Sequence, residues 1–314
     1  MKSPADNQNR RFAVPDRILL ATDLEDALLP HAIAQAKASE ATLTIAHVIP
    51  SAETVAIDAR AVFSVDVAAM KQEAIQALEP MAARVRDSGV ACDIVVRQGT
   101  PQEAVPELVK EIKADRLILG THGRRHIKKL LLGSVAQEIL GKVDVPVCTI
   151  GPKVQAESAH GRPRKILHPV SLRPGFEQSA RLALEMAQFY QAEITLLHVL
   201  DRGLQRDYDP TRIAAWTKAE LQRLIPDEAP LWTYVNAQVE VGGVVDHVLN
   251  VAAEMQADLI VLGTDVSGAF WPVRGDSTAY EIVAQAGCPV LTLRHGAAVE
   301  QESGATTSVF AATF

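Results

Sequence analysis

One stretch concentrates the residue types that could do chemistry: Gly120-Thr121-His122-Gly123-Arg124-Arg125-His126-Ile127-Lys128-Lys129-Leu130-Leu131-Leu132-Gly133-Ser134-Val135-Ala136. Gly120 and Gly123 fall where an aliphatic run turns into a loop, and their missing side chains let backbone N–H groups approach an anion closely. Gly133 and Ser134 open a helical pattern whose first turn presents unpaired N–H groups and about half a positive charge. A phosphate chain needs such an arrangement, with the Ser134 hydroxyl as a further donor and Arg124, Arg125, Lys128 and Lys129 as counter-charge. The same residues also suit an ordinary turn followed by a solvated basic loop, and glycines alone do not separate the two readings.

Histidines and cysteines are the other candidates. His47 and His198 each stand just before the end of an aliphatic run, and His168 falls on the run next to that of His198, so these two rings could approach one another. Two imidazoles without a third or fourth ligand make a poor zinc site, and histidines bonded within the fold are the favoured reading, with no metal expected. His122 and His126 could reach anionic oxygens or simply be solvated. Cys92, Cys148 and Cys288 are odd in number and form no Cys-x-x-Cys pair, which fits free thiols in a reducing cytosol.

These residues are positioned by elements that occur twice. Arg17 to Asp23 is answered by Lys165 to Ser171, Ala41 to Val48 by Ala192 to Val199, and Asp115 to Thr121 by Asp258 to Thr264, with Val145-Pro146-Val147 and Cys288-Pro289-Val290 following at the same offset. Helical patterns alternate with these strands over 29–39, 67–87, 102–113 and 134–142, and again over 180–191, 212–224, 245–255 and 277–285. Val105, Leu108, Val109 and Ile112 recur at the spacing of one buried helical face, as do Val245, Val248, Leu249 and Ala252. Strands without polar alternation, interleaved with helices, predict an α/β fold. It consists of two tandem doubly wound domains, each with a parallel sheet of about five strands, over 14–152 and 163–296. Any ligand would lie beyond the carboxyl ends of the strands. The polar segment Gly151 to Pro163 reads as the linker, and Ala297 to Phe314 as a weakly ordered tail.

Composition agrees. The 314 residues are about twice an ordinary domain, 48% are hydrophobic, and 31 Lys+Arg against 38 Asp+Glu give a net charge of −7. That surface disfavours non-specific nucleic-acid binding. No apolar run approaches the ~20 residues of a membrane span, and Met1 to Arg11 is polar, so a soluble cytoplasmic protein is expected.

Spacing lends the first stretch its specificity. Gly-x-x-Gly, nine residues, then Gly-Ser, after an Asp-x-Leu-Ile strand, resembles the ATP-binding signature of the universal stress protein family, and the resemblance covers nearly the whole chain as two tandem family domains. Val96-Arg97-Gln98-Gly99-Thr100-Pro101 is similar to the family's Val-x-x-Gly-x-Pro. The resemblance implies an adenine nucleotide alpha hydrolase-like fold and an ATP-binding regulatory protein of the stress response. It also implies that Asp23 lies near the adenosine and that Val48 packs on the base. Gly120, Gly123, Gly133, Ser134, Val135 and Ala136 would hold ribose and phosphates, with Ala21, Thr22, His122 and Arg124 beside them. Ala21 departs from the pattern, standing where the family often has Pro. A magnesium ion bridging the phosphates is expected from ATP chemistry.

In the second copy Gly123 becomes Val266, Gly133 becomes Asp276 and Asp23 becomes Ser171. A β-branched side chain fills phosphate space, and a carboxylate at a helix start repels an anion. Five basic loop positions, counting His126, shrink to Arg274, while Phe270, Trp271 and Pro272 add apolar bulk. One ATP per chain, in the first domain, is therefore expected. The segments HExxH, Gly-x-x-x-x-Gly-Lys-Ser/Thr and Ser-Gly-Gly-x-Asp-Ser are absent, so any hydrolysis should be slow and incidental. Two other readings stay open: an ATP-consuming enzyme assisted by His122 or Asp23, and an interaction module for a protein or small ligand that ignores nucleotide. The apolar fifth strands, Val145 to Ile150 and Pro289 to Leu293, need cover as sheet edges. In family dimers such edges meet across a two-fold axis, which implies an intramolecular pseudo-dimer; a homodimer of tandem chains is a further possibility.

Overall fold

The computed structural model describes residues 12–51, 66–121, 132–156, 159, 161–172, 176–200, 210–264 and 277–294. The first half supplies β1 (Arg17–Ala21), α1 (Leu29–Ser39), β2 (Thr42–Ile49), α2 (Val67–Asp87), β3 (Cys92–Gln98), α3 (Pro101–Glu111), β4 (Arg116–Gly120), α4 (Ser134–Lys142) and β5 (Val147–Ile150). The second supplies β6 (Lys165–Pro169), α5 (Phe176–Tyr190), β7 (Glu193–Leu200), α6 (Pro210–Arg223), β8 (Val235–Val241), α7 (Val244–Glu254), β9 (Leu259–Thr264), α8 (Ser277–Gln285) and β10 (Val290–Arg294). All eight helical patterns of the sequence become helices. α5 starts earlier than expected, at Phe176, because that aromatic side chain packs on the core and so extends the buried face beyond Ala180.

The strands form one sheet in the order β3-β2-β1-β4-β5-β10-β9-β6-β7-β8. Every neighbouring pair is parallel except β5 and β10, which run antiparallel with Leu291 opposite Cys148. The two apolar edges thus cover each other. Across this seam Thr149 donates its hydroxyl to the Val290 carbonyl (3.1 Å) and Thr292 donates to the Val147 carbonyl (3.2 Å), a pair related by the pseudo-two-fold axis.

Local punctuation is duplicated as well. Asp115 Oδ2 accepts from the amides of Asp16 and Arg17, and Asp258 Oδ2 accepts from those of Arg164 and Lys165, so one carboxylate in each half fixes the entry of the first strand beside the fourth. Helices α1, α3, α5 and α7 end at Glu40, Lys113, Gln191 and Gln256, all with φ between 53° and 57°. In each case the next residue is an alanine whose N–H returns to the carbonyl five positions back. Such a left-handed cap usually takes glycine; a hydrogen-bonded, packed turn holds these longer residues there instead. Helix α3 therefore stops at Glu111, two residues before the expected end, with the left-handed Lys113 just beyond it.

One apolar cluster underlies α1, α2, α5 and α6 on one face and runs through both halves. On the other face each half has its own cluster, and Leu132 packs against both. The linker lies close on α1: a Cβ at Gly161 would sit 1.8 Å from the Ala34 carbonyl oxygen, so only glycine permits that approach.

Candidate functional site

β1 is flanked by β2 on one side and β4 on the other, so the connections leaving its carboxyl end diverge and open a crevice there. Ala21 ends β1 opposite Ala46, and Thr22 continues it by donating its N–H to the Ala46 carbonyl (2.9 Å). The chain then turns sharply. Thr22 Oγ1 accepts from the Leu24 amide (3.1 Å) and donates to the Glu25 carbonyl (3.3 Å), while Leu24 adopts φ 74°. His47 donates its Nδ1–H to the Thr22 carbonyl (2.8 Å), because a carbonyl can only accept. Four hydrogen bonds, two of them to β2, therefore fix the turn that carries Asp23.

Asp23 itself is half-buried. A bland role as helix cap is not what it plays: the short 3₁₀ turn Asp26–Leu28 has Glu25 at its start, and α1 opens at Leu28 with no side-chain cap. The carboxylate, on the turn that follows β1, makes no hydrogen bond to the described residues.

On the other side of β1, Gly120 ends β4 opposite Ile150. The buried Thr121 donates its N–H to the Ile150 carbonyl (3.2 Å) and accepts from the Gly133 amide (2.9 Å). The two ends of the glycine loop are thereby clasped, and Gly133 has no amide left to offer a ligand. Its carbonyl accepts the first helical bond of α4, from Gln137 (2.9 Å). The amides of Ser134, Val135 and Ala136 have no acceptor among the described residues, the open first turn of a helix. Ser134 and Val135 are exposed and Ala136 is buried. Ala21 and the half-buried Val48 pack on the same apolar cluster as α4, giving the crevice a floor. Among the sequence candidates, Ala21, Thr22, Asp23, Val48, Gly120, Gly133, Ser134, Val135 and Ala136 thus gather around the ends of β1, β2 and β4. His122, Gly123 and Arg124, with the rest of the basic stretch, lie outside the described residues.

The second half builds the same frame with other side chains. Val170 donates its N–H to Leu197 (2.8 Å), His198 donates Nδ1–H to the Val170 carbonyl (2.7 Å), and Leu172 takes φ 54°. The equivalences make Val170 the counterpart of Thr22 and Ser171 that of Asp23, so the turn-forming hydroxyl and the carboxylate are both gone. Burial pushes the His198 imidazole below its ordinary value, partly opposed by its bond to Val170. His168 is fully buried and bonds the Val261 carbonyl (2.8 Å), so it and His198 are each directed to a different backbone oxygen. Val266, Phe270, Trp271, Pro272, Arg274 and Asp276 lie outside the described residues.

The family model described as universal stress protein family matches residues 15–150 and again 163–294. The chain belongs to the universal stress protein family. A universal stress protein of Methanocaldococcus jannaschii is 27% identical over 137 residues, 43% of this chain and 81% of that one. A universal stress protein E homolog of Haemophilus influenzae is 42% identical over 57 residues, 18% of each chain. Among solved structures, a universal stress protein from Archaeoglobus fulgidus superposes with a TM-score of 0.67 at 18% identity, covering 89% of this chain and 96% of that one. The tandem α/β architecture is therefore shared with that solved structure.

Sequence reading missed the Asp115 and Asp258 clamps, although the aspartates stand at matching places in the two copies. It also missed the clasp between Thr121 and Gly133, which has no local signal, since its partners are twelve residues apart and meet only through the β4–α4 geometry. No helix among the described residues is long and apolar enough to cross a membrane.

Proposed function

We propose that this universal stress protein binds ATP in its first domain, one nucleotide per chain, and that the bound nucleotide biases a conformation or an interaction during the stress response. The domains are taken as 14–152 and 163–296. The observation that carries the reading is the open first turn of α4, whose Ser134, Val135 and Ala136 amides have no acceptor among the described residues at the crevice beside β1.

In this reading the base lies on Val48 and Ala21, Asp23 accepts from the ribose or the adenine, and the phosphates meet the three amides and the Ser134 hydroxyl. Gly120, at the end of β4, is assigned to the same ligand, as are His122, Gly123 and Arg124 by the family resemblance. Gly133 acts through its lack of a side chain, since its amide is engaged by Thr121. Magnesium would ride on phosphate oxygens: no three His, Cys, Asp or Glu side chains group together among the described residues. The second domain, with Val170 and Ser171 at the equivalent turn and Asp276 at the equivalent helix start, serves as a structural and regulatory partner. The proposed setting is the cytoplasm, with an unidentified protein partner and only slow, incidental hydrolysis.

The test is to purify the full chain, denature it and identify the small molecules released, then titrate the emptied protein with ATP by calorimetry. Adenine nucleotide near one per chain is the expected result. A protein that carries none and ignores added ATP overturns the proposal, and a stoichiometry near two overturns its restriction to the first domain.

A further inference from the structure

At the opposite ends of the strands from the nucleotide crevice, a cavity of about 30 Å³ lies between α1, α5 and the sheet, where the two halves meet. That is room for one or two water molecules or one ion of halide size. The first half lines it with His31, Gln35, Arg116 and Cys148, and the second with Met186, Leu259 and Leu291.

Arg116 is the anomaly. Only 2% exposed, it meets no carboxylate within ion-pair distance among the described residues, and its Nε has no hydrogen-bond partner. One terminal nitrogen donates to the carbonyls of Phe12 (2.5 Å) and Ala13 (3.4 Å), the other to Gln35 Oε1 (3.5 Å), all neutral acceptors. Of the two groups nearby that could carry negative charge, neither is in ion-pair contact with it. Asp258 reaches the cavity, but its Oδ2 is engaged by the Arg164 and Lys165 amides, and it forms no ion pair with Arg116. Burial pushes the Cys148 thiol up, against the pull of Gln35 and Arg116, so it stays neutral.

A buried guanidinium with no carboxylate in ion-pair contact is costly, and the fold does not demand it. Matched on the duplicated bonds, Arg116 corresponds to Leu259, Gln35 to Met186 and Cys148 to Leu291, so the second half builds the same place from aliphatic side chains. The polar set is therefore a property of this cavity rather than of the architecture.

We propose that the seam cavity binds one small monovalent anion of halide size, held by the Arg116 guanidinium beside Gln35 and capped by the aliphatic side chains of the second domain. The anion would act as a neutralising pin between the halves, since ligands come from one half and the lid from the other.

The test uses the full chain and bromide. Thermal unfolding in sodium bromide, against sodium gluconate at equal ionic strength and with nucleotide held constant, should show a saturable rise of about 3 °C. Crystals grown in bromide should give an anomalous peak within hydrogen-bond distance of Arg116. Arg116→Leu, which copies Leu259, should abolish both. Gln35→Met, which copies Met186 and keeps the charge, should shift half-saturation to higher bromide. An undiminished bromide response in Arg116→Leu overturns the proposal. If that variant fails to fold, the wild-type crystals decide alone, and water without an anomalous peak in the cavity overturns it equally. The nucleotide crevice shares none of these residues, so a chain that binds no ATP leaves this test intact.

Discussion

The two halves of this molecule share a frame and differ at their rims. The bonds that fix the backbone are repeated: Asp115 and Asp258 clamp the first strands, His47 and His198 hold the following turns, and Thr149 and Thr292 reach across the seam. The side chains at the crevice and the seam cavity are not repeated. Thr22 gives way to Val170, Asp23 to Ser171 and Arg116 to Leu259. Frame and site are thus separable: backbone polar groups must be satisfied in any copy of the fold, whereas side chains at a crevice or cavity carry no such requirement.

Substitutions that write one half into the other test this separation. The largest effect is expected from Gly133→Asp, which places the carboxylate of Asp276 at the start of α4. It should weaken ATP binding by about a hundredfold in calorimetry, with the circular dichroism spectrum unchanged. Retained affinity would show that α4 is not where the phosphates sit.

Thr22→Val copies Val170 and removes the hydroxyl that closes the turn before Asp23. A loss of about tenfold in nucleotide affinity is expected, with about 1 kcal/mol of stability measured by urea unfolding. Val170→Thr should leave the second domain as indifferent to nucleotide as before, because Ser171 still lacks the carboxylate.

At the seam the comparison predicts equality. Thr149→Val and Thr292→Val each remove one buried hydroxyl bond to a carbonyl of the opposite half, so each should cost about 1 kcal/mol. Unequal losses would mean that one half, not the axis, holds the seam together.

The smallest expected effect is a pH dependence. Burial lowers the His198 pKa in the folded protein, so below its ordinary value of 6.5 the unfolded chain binds the proton more readily than the folded one. Stability should therefore be flat above that value and fall as the pH drops through the lowered one. His198→Gln, which cannot titrate, should flatten the urea midpoint between pH 5 and pH 7.5. An unchanged slope in the variant would assign the acid sensitivity elsewhere.

Much of this was legible in the residues because it rests on local pattern. Aliphatic runs such as Leu117-Ile118-Leu119 read as strands buried on both faces, and Val105, Leu108 and Val109 marked the inner side of α3, with the partly buried Ile112 just past its end. The candidate site was legible at Gly120, Gly133 and Ser134 through their spacing. Illegible was the use of the Gly133 amide, since a residue that looks like a donor to a ligand turned out to clasp Thr121. Equally hidden were the left-handed helix ends at Glu40, Lys113, Gln191 and Gln256, where residues of ordinary helical preference are held by a following alanine and the packing beneath it.

By itself, then, the order of residues determined the duplication, the alternation of strands and helices and the asymmetry of the two rims, because periodicity and side-chain type act over a few neighbouring positions. Only the tertiary structure decided that β5 and β10 pair antiparallel, that Asp258 serves a strand entry rather than Arg116, and that Arg116 is buried against the second half. Those outcomes depend on contacts between residues about a hundred or more positions apart, whose energies no local stretch of chain contains.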